Sequence, residues 1–168
     1  RSPPAHRQHM LDIKSAQAKA MNLHRGGQLE NAEALYRRIL QAQPNNPDAL
    51  HFLGMLRHQR GDGADAVRLI EQSIAQQPDY ADAYNSLGNV LSSLGQTAEA
   101  IVAYRRAIAC RADFAEAFNN LGVALRAQGE PAEAIQVLQQ GIAARGCRQR
   151  AHASPRAAHA SGYVDGHP

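Results

Sequence analysis

Apolar residues recur along the chain at helical spacing, most clearly in residues 81–114 (ADAYNSLGNVLSSLGQTAEAIVAYRRAIACRADF). Tyr84, Leu87, Gly88 and Leu91 fall at i, i+3, i+4 and i+7, which is one face of a helix. Gly95 follows and predicts the end of that helix, because glycine enters the left-handed backbone region without a Cβ clash. A second apolar stripe, Ala100, Ile101, Tyr104, Ala107 and Ile108, predicts a second helix running back along the first. The pattern returns at a fixed offset of 34 residues: Gly54, Gly88 and Gly122; Gly27, Gly61, Gly95 and Gly129; Ala32, Ala66, Ala100 and Ala134; Pro44 and Pro78. These series predict tandem helical hairpins over residues 13–46, 47–80, 81–114 and 115–146. Proline, which cannot continue a helical hydrogen-bond ladder, marks the exit turn of the first two.

A glycine inside a helix costs roughly 0.5–1 kcal/mol against alanine, so Gly54, Gly88 and Gly122 call for a compensating contact. Pairing with Ala66, Ala100 and Ala134 on the second helix would let the two helix axes approach closely. A lone hairpin cannot bury its second apolar face, so each copy stacks on the next and the array is all-α and quasi-one-dimensional.

These residues resemble the tetratricopeptide repeat (TPR) family, with its aromatic or leucine, then Leu-Gly, a later alanine, an aromatic and a closing proline. The resemblance covers about residues 13–146 and rests on Tyr84, Leu87, Gly88, Ala100 and Tyr104 in the third copy and on Phe118, Leu121, Gly122 and Ala134 in the fourth. At the edges the pattern lapses: Lys19 and Ala20 replace Leu-Gly, and Gly141 and Gly146 stand where an alanine and a proline belong. The resemblance implies a right-handed α-solenoid of about four stacked helix-turn-helix units that binds proteins or extended peptides along its concave face. More narrowly, DALHFLG, DYADAYNSLGN and DFAEAFNNLG look like the repeat regions that precede glycosyltransferase or sulfotransferase domains and those of O-linked N-acetylglucosamine transferase. The alternative function is therefore the substrate-recognition arm of a larger transferase.

The charge changes the picture little once it is located. The chain is +3 overall, but residues 10–144 carry 12 Lys or Arg against 14 Asp or Glu, so the basicity belongs to residues 1–9 and 145–168. The repeats lack the positive field that phosphate binding needs, which argues against nucleic acid as partner. Residues 1–9 are expected to be a disordered extension. Residues 147–168, rich in Arg, Ala, His, Ser, Gly and Pro, are expected to be a disordered or out-of-frame-like tail, with the natural protein continuing into more repeats or a catalytic domain. Cys110 and Cys147 have no disulfide-framework or metal-ligand spacing, and no apolar run is long enough to span a membrane, so the reading is cytoplasmic.

No phosphate loop, zinc-protease helix or nucleophile elbow is present, so no catalytic residue, metal or cofactor is assigned and the chain is read as a scaffold rather than an enzyme. On the first helix of each hairpin, a second stripe faces away from the packing stripe. It comprises Asp82, Asn85, Ser86, Asn89, Ser92 and Ser93 in the third copy, Glu116, Asn119, Asn120, Val123 and Arg126 in the fourth, and Asp48, His51, Phe52, Met55, His58 and Gln59 in the second. The peptide-binding candidates are Asn85, Asn89, Asn119, Asn120, His51, His58 and Arg126. A row of amides can pair with an extended main chain whatever its sequence, and the alternative is a plain solvated helix face. His51 and His58 are read as surface histidines, since no further zinc ligands accompany them. Gln17, Met21, Ser86, Glu116 and Asn120 occupy the places where a carboxylate clamp would carry Lys and Arg, which argues against that partner class. The apolar face of the last helix, with Ile135, Leu138 and Ile142, is expected to favour self-association.

Overall fold

The computed structural model describes residues 12–153. Among the described residues run α1 (Ile13–Arg25), α2 (Leu29–Ala42), α3 (Pro47–Gln59), α4 (Gly63–Gln76), α5 (Ala81–Ser93), α6 (Thr97–Cys110), α7 (Ala115–Ala127) and α8 (Pro131–Ala153), and no strand. Each odd helix packs against the even helix that follows it, and successive hairpins stack, giving the solenoid that the period predicts. The N-terminal extension and residues 154–168 lie outside the described residues. The segment expected to be a tail from residue 147 begins as helix, because α8 runs on to Ala153 with no glycine turn after Gly146 to stop it.

Two turns alternate along the chain. Inside each hairpin, Gly27, Gly61, Gly95 and Gly129 adopt φ of 76°, 85°, 77° and 89°, the left-handed conformation that the sequence predicts. The amide three residues after each preceding helix then returns to a carbonyl five residues back, as in Gln96 N to Leu91 O at 2.9 Å and Glu130 N to Leu125 O at 2.9 Å. Between hairpins the link is a tight turn, closed by Asn46 N to Gln43 O at 3.1 Å, Tyr80 N to Gln77 O at 3.2 Å and Phe114 N to Arg111 O at 3.1 Å. Pro44 and Pro78 stand just inside the first two of these turns. At α3 the entry is further fixed by Pro47 in the first turn and by Asn46 Oδ1, which accepts from Ala49 N at 2.9 Å.

The helical glycines do make room, at Gly54 for the expected approach to the alanine, where a Cβ would come within 3.1 Å of the Ala66 carbonyl oxygen, and at all three for a larger side chain. Ala66, Ala100 and Ala134 are buried, yet a Cβ on Gly54 would come within 2.7 Å of Ile70 Cγ1, one on Gly122 within 2.9 Å of Leu138 Cγ, and one on Gly88 would run into the Tyr104 ring. Each glycine is a socket for the large side chain four residues beyond the alanine. The core therefore runs lengthwise between the odd and even helices, from Ala16 and Tyr36 at one end to Leu125 and Val137 at the other.

Three register positions depart from the repeat. Glu33 stands where Val67, Ile101 and Ile135 stand in the other copies, and it is buried, bound by Arg37 and Arg57 at 2.7 Å each and by Arg60. At the start of the stack, Ser15 and Lys19 are exposed at the positions where Ala49, Ala83 and Ala117 and Leu53, Leu87 and Leu121 are buried.

Candidate functional site

The odd helices line up side by side along one face of the solenoid, touching as α1·α3, α3·α5 and α5·α7. Each carries a polar residue at one register: Gln17, His51, Asn85 and Asn119. The first three act as rungs reaching to the next odd helix. Gln17 Nε2 donates to Asp48 Oδ2 at 3.3 Å, and Asn85 Nδ2 donates to Glu116 Oε1 at 3.0 Å, the same bond two repeats apart. His51 pairs with Ser86 Oγ at 2.8 Å, and Asn85 Oδ1 accepts from Asn120 Nδ2 at 3.1 Å, again equivalent bonds. Asn120 Nδ2 also donates to Asn89 Oδ1 at 3.1 Å, and Tyr104 donates its hydroxyl proton to the same oxygen at 2.9 Å.

Asn85, Asn89 and Asn120 thus lie together as a set of amides bonded to one another. Asn85 is buried with both ends of its amide engaged. Asn89 and Asn120 are half-buried, and among the described residues Asn89 Nδ2 and Asn120 Oδ1 make no hydrogen bond, leaving one donor and one acceptor open. Asn119 is exposed and outside this network, and Arg126 is exposed at the end of α7.

His51 corrects the sequence reading most sharply, for it is buried rather than on the surface. Tyr80 donates its hydroxyl proton to Asp48 Oδ1 at 2.8 Å, so its oxygen is left to accept from His51 Nδ1–H at 3.1 Å, and His51 Nε2 accepts from the Ser86 hydroxyl. The imidazole is therefore held neutral. Burial lowers its pKa to about 4, against the opposing pull of Asp82 and Asp48. Burial and the bond to Asp48 likewise raise the Tyr80 pKa well above its ordinary value. His58 is half-buried and takes no part in this seam.

Beside His51 the face opens into a groove of about 520 Å³ lined by Met21, His24, Arg25, Phe52, Met55 and Gln59, with His51, Tyr80, Asp82 and Ser86 along one wall. Its rings form a continuous bank: Tyr36 and Phe52 lie nearly parallel at 6.0 Å, Phe52 and His51 at 4.9 Å, and Tyr80 stands edge-on to His51 at 5.0 Å. The polar groups of the wall are spoken for. His24 pairs with Gln59 at 3.2 Å, and Asp82 is ion-paired with Arg111, whose guanidinium lies 4.3 Å from the Phe114 ring centroid. What remains open is apolar surface from Met21, Phe52 and Met55, with Arg25 at the rim, which makes no ion pair among the described residues. Tyr80 and Arg111 were missed by the sequence reading. For Tyr80 the signal was there, in the aromatic residue that precedes Ala81 and Ala115 in the second and third links.

Fold and odd-helix face together define a helical-hairpin repeat protein whose odd helices form one continuous surface. The chain belongs to the tetratricopeptide repeat family: models described as tetratricopeptide repeat match residues 23–91 and 114–146, and one described as TPR repeat matches residues 88–129. No curated protein sequence matches it. Among solved structures, MamA is similar with a TM-score of 0.74 at 22% identity, covering 83% of this chain and 81% of that one. An O-GlcNAc transferase of Thermobaculum terrenum is 34% identical with a TM-score of 0.65, over 67% of this chain but only 22% of that enzyme. The first TPR of Spaghetti (RPAP3), solved bound to the HSP90 peptide SRMEEVD, has a TM-score of 0.67 at 21% identity, over 72% of this chain and 96% of that one. Among the described residues, no helix is long and apolar enough to cross a membrane.

Proposed function

We propose that the chain is a non-catalytic scaffold that holds an extended segment of another polypeptide along the odd-helix face, in a cytoplasmic setting. The observation that carries this reading is the groove at Met21, Phe52 and Met55, where apolar side chains stand open while the polar groups around them, Arg25 at the rim apart, are already paired. Such a groove accepts an apolar side chain without stripping water from unpaired polar atoms. One hairpin further along, the open donor of Asn89 and the open acceptor of Asn120 match the carbonyl and amide of one peptide unit. Asn119, His58 and Arg126 would then contact the segment only at its margins.

Selection of random extended peptides displayed on the full chain, with affinities then measured by fluorescence anisotropy, tests the reading. Enriched peptides should carry a bulky apolar residue and lose tenfold or more in affinity to Met21→Glu with Met55→Glu. They should lose about threefold to Asn89→Ala with Asn120→Ala. Peptides that bind both variants as well as the parent would place recognition elsewhere.

The 34% identity to the repeat region of an O-GlcNAc transferase favours a second reading, in which this surface is the recognition arm of a transferase. In that case the selected peptides should include acceptor sequences that such an enzyme glycosylates, whereas a free-standing scaffold shows no such bias.

A further inference from the structure

The junction between α2 and α3 is built from charge where the later junctions are built from hydrocarbon. Glu33 and Arg57 meet there at 2.7 Å. The same two registers hold Val67 and Leu91 at the second junction and Ile101 and Leu125 at the third, all in one apolar core. An ion pair taken out of water does no better for stability than an aliphatic pair of similar size, and often does worse. The hydrocarbon pairs show that this fold closes the junction without charge, so Glu33 and Arg57 call for a use beyond holding α2 to α3.

That use follows from what surrounds them. Three guanidiniums converge on the buried Glu33: Arg37 and Arg57 on Oε1 at 2.7 Å each, and Arg60 on Oε2. Arg57 Nε lies 3.4 Å from Asp65 Oδ2 without a hydrogen bond, and Arg68 is held by the other oxygen of Asp65. Four guanidiniums thus share two carboxylates, and the surplus of positive charge faces water: the side chains of Arg37, Arg60 and Arg68 are 57%, 34% and 58% exposed. Among the described residues, Nε and Nη1 of Arg37 and Nε and Nη2 of Arg60 make no hydrogen bond, so each keeps part of its fork of donors open. Arg60 also lines a cleft of about 380 Å³ with Gly27, Gln28, Leu29, Glu30 and Asn31, which leaves room beside the cluster. None of the cluster lines the groove at Met21, Phe52 and Met55.

We infer that this edge, where α3 ends and α4 begins, docks an acidic segment of a partner polypeptide. Arg37, Arg60 and Arg68 meet its carboxylates, and Glu33 is the positioning residue that holds the guanidiniums in place from beneath. A planar carboxylate matches the guanidinium fork, and three arginines gathered on one anion are already oriented before the partner arrives. Nucleic acid fits less well. Glu30 and Asp62 stand exposed on the same hairpin turns, and residues 10–144 carry 12 Lys or Arg against 14 Asp or Glu, so a continuous phosphate backbone would be set against like charge. Separated carboxylates on a flexible segment can reach the open donors between those acids.

The probe is a short fluorescent peptide of alternating glutamate and glycine, added to the full chain at physiological ionic strength and followed by anisotropy. Saturable binding is expected. Glu33→Val with Arg57→Leu, which copies the later junctions and leaves the net charge unchanged, should weaken it tenfold or more while the urea midpoint holds or rises. Arg37→Lys with Arg60→Lys, also charge-neutral, should weaken it about fivefold, because an ammonium has no planar fork. Arg106→Ala with Arg145→Ala, and Met21→Gln with Met55→Gln, should bind as the parent does, which separates this edge from general charge and from the inner face. Absence of saturable binding at millimolar peptide would overturn the assignment, as would parent-like binding by either charge-neutral variant. A sharp fall in the urea midpoint of the Glu33→Val, Arg57→Leu variant would overturn it too, because the cluster would then serve to hold the junction. So would a single-stranded DNA oligomer that binds more tightly than the peptide and through the same arginines, since the occupant would then be a nucleic acid.

Discussion

His51 shows how one residue can tie two repeats together and make their junction answer to acid. Its ring is neutral by wiring, with Ser86 giving it a proton bond at Nε2 and Tyr80 taking one at Nδ1. With the folded pKa near 4 and the unfolded one near 6.5, the unfolded chain binds a proton first. The contribution of this residue is therefore intact above pH 6.5, falls as pH drops from 6.5 to 4 with a slope of at most about 1.4 kcal/mol per pH unit, and levels off below. Asp48 and Asp82 soften the effect by favouring the charged ring, and His24 adds to it. Urea unfolding at several pH values between 4 and 7.5 should show a steeper loss for the parent than for His51→Gln, a side chain already used at the equivalent Gln17. Parallel curves would show that the ring titrates in the folded protein as freely as in the unfolded one. The burial was illegible in the sequence because Tyr80 and Ser86 arrive from the next hairpin, and periodicity within one helix says nothing about them. Glu33 was overlooked for the converse reason: a charge in an apolar register reads as surface until Arg57 and Arg60 are seen to close over it.

Within a hairpin, helix spacing is set by a socket and turn geometry by a separate glycine, and the two can be told apart. Gly88→Ala pushes a Cβ against the Tyr104 ring, whose hydroxyl also holds Asn89, and should destabilise the protein by about 1–3 kcal/mol. Gly95→Ala meets nothing within 4 Å, yet its φ of 77° places an L side chain in the left-handed region, at a cost of about 1–2 kcal/mol. A double-mutant cycle with Tyr104→Leu separates the causes. Coupling of about 0.5 kcal/mol or more is expected with Gly88→Ala and none with Gly95→Ala. Equal coupling to both would mean that the glycines act through backbone freedom alone. The elements themselves were legible, since stripe, glycine turn and proline link recur with one period. The partner of each helical glycine was not, because spacing alone does not distinguish Ala100 from Tyr104 as its neighbour on the facing helix.

Over the whole molecule the two ends are unlike: polar at α1, through Ser15 and Lys19, and aliphatic at α8. Supplying the missing chemistry at the head, with Ser15→Ala and Lys19→Leu, should let it dock onto the α8 end of another copy, and light scattering after gel filtration should show mass rising with concentration. A variant that stays at the parent's mass would mean that shape, not polarity, keeps head and tail apart. The solenoid and its number of hairpins could be read from the 34-residue offset, whereas the direction of each rung needed the stack itself. One feature of that stack bears on how the protein holds anything. Odd helices approach odd helices backbone to backbone down the chain, whereas the even helices meet more loosely, through long side chains such as Arg105 on α6 and Glu133 on α8 at 2.6 Å. A bent beam has one line along its length that neither stretches nor shortens, and here that line runs near the odd helices. Flexing of the array would then fall mainly on the more loosely joined even helices, while the spine keeps its length. A ligand laid along the spine would feel little of the motion, so its grip need not weaken as the molecule bends.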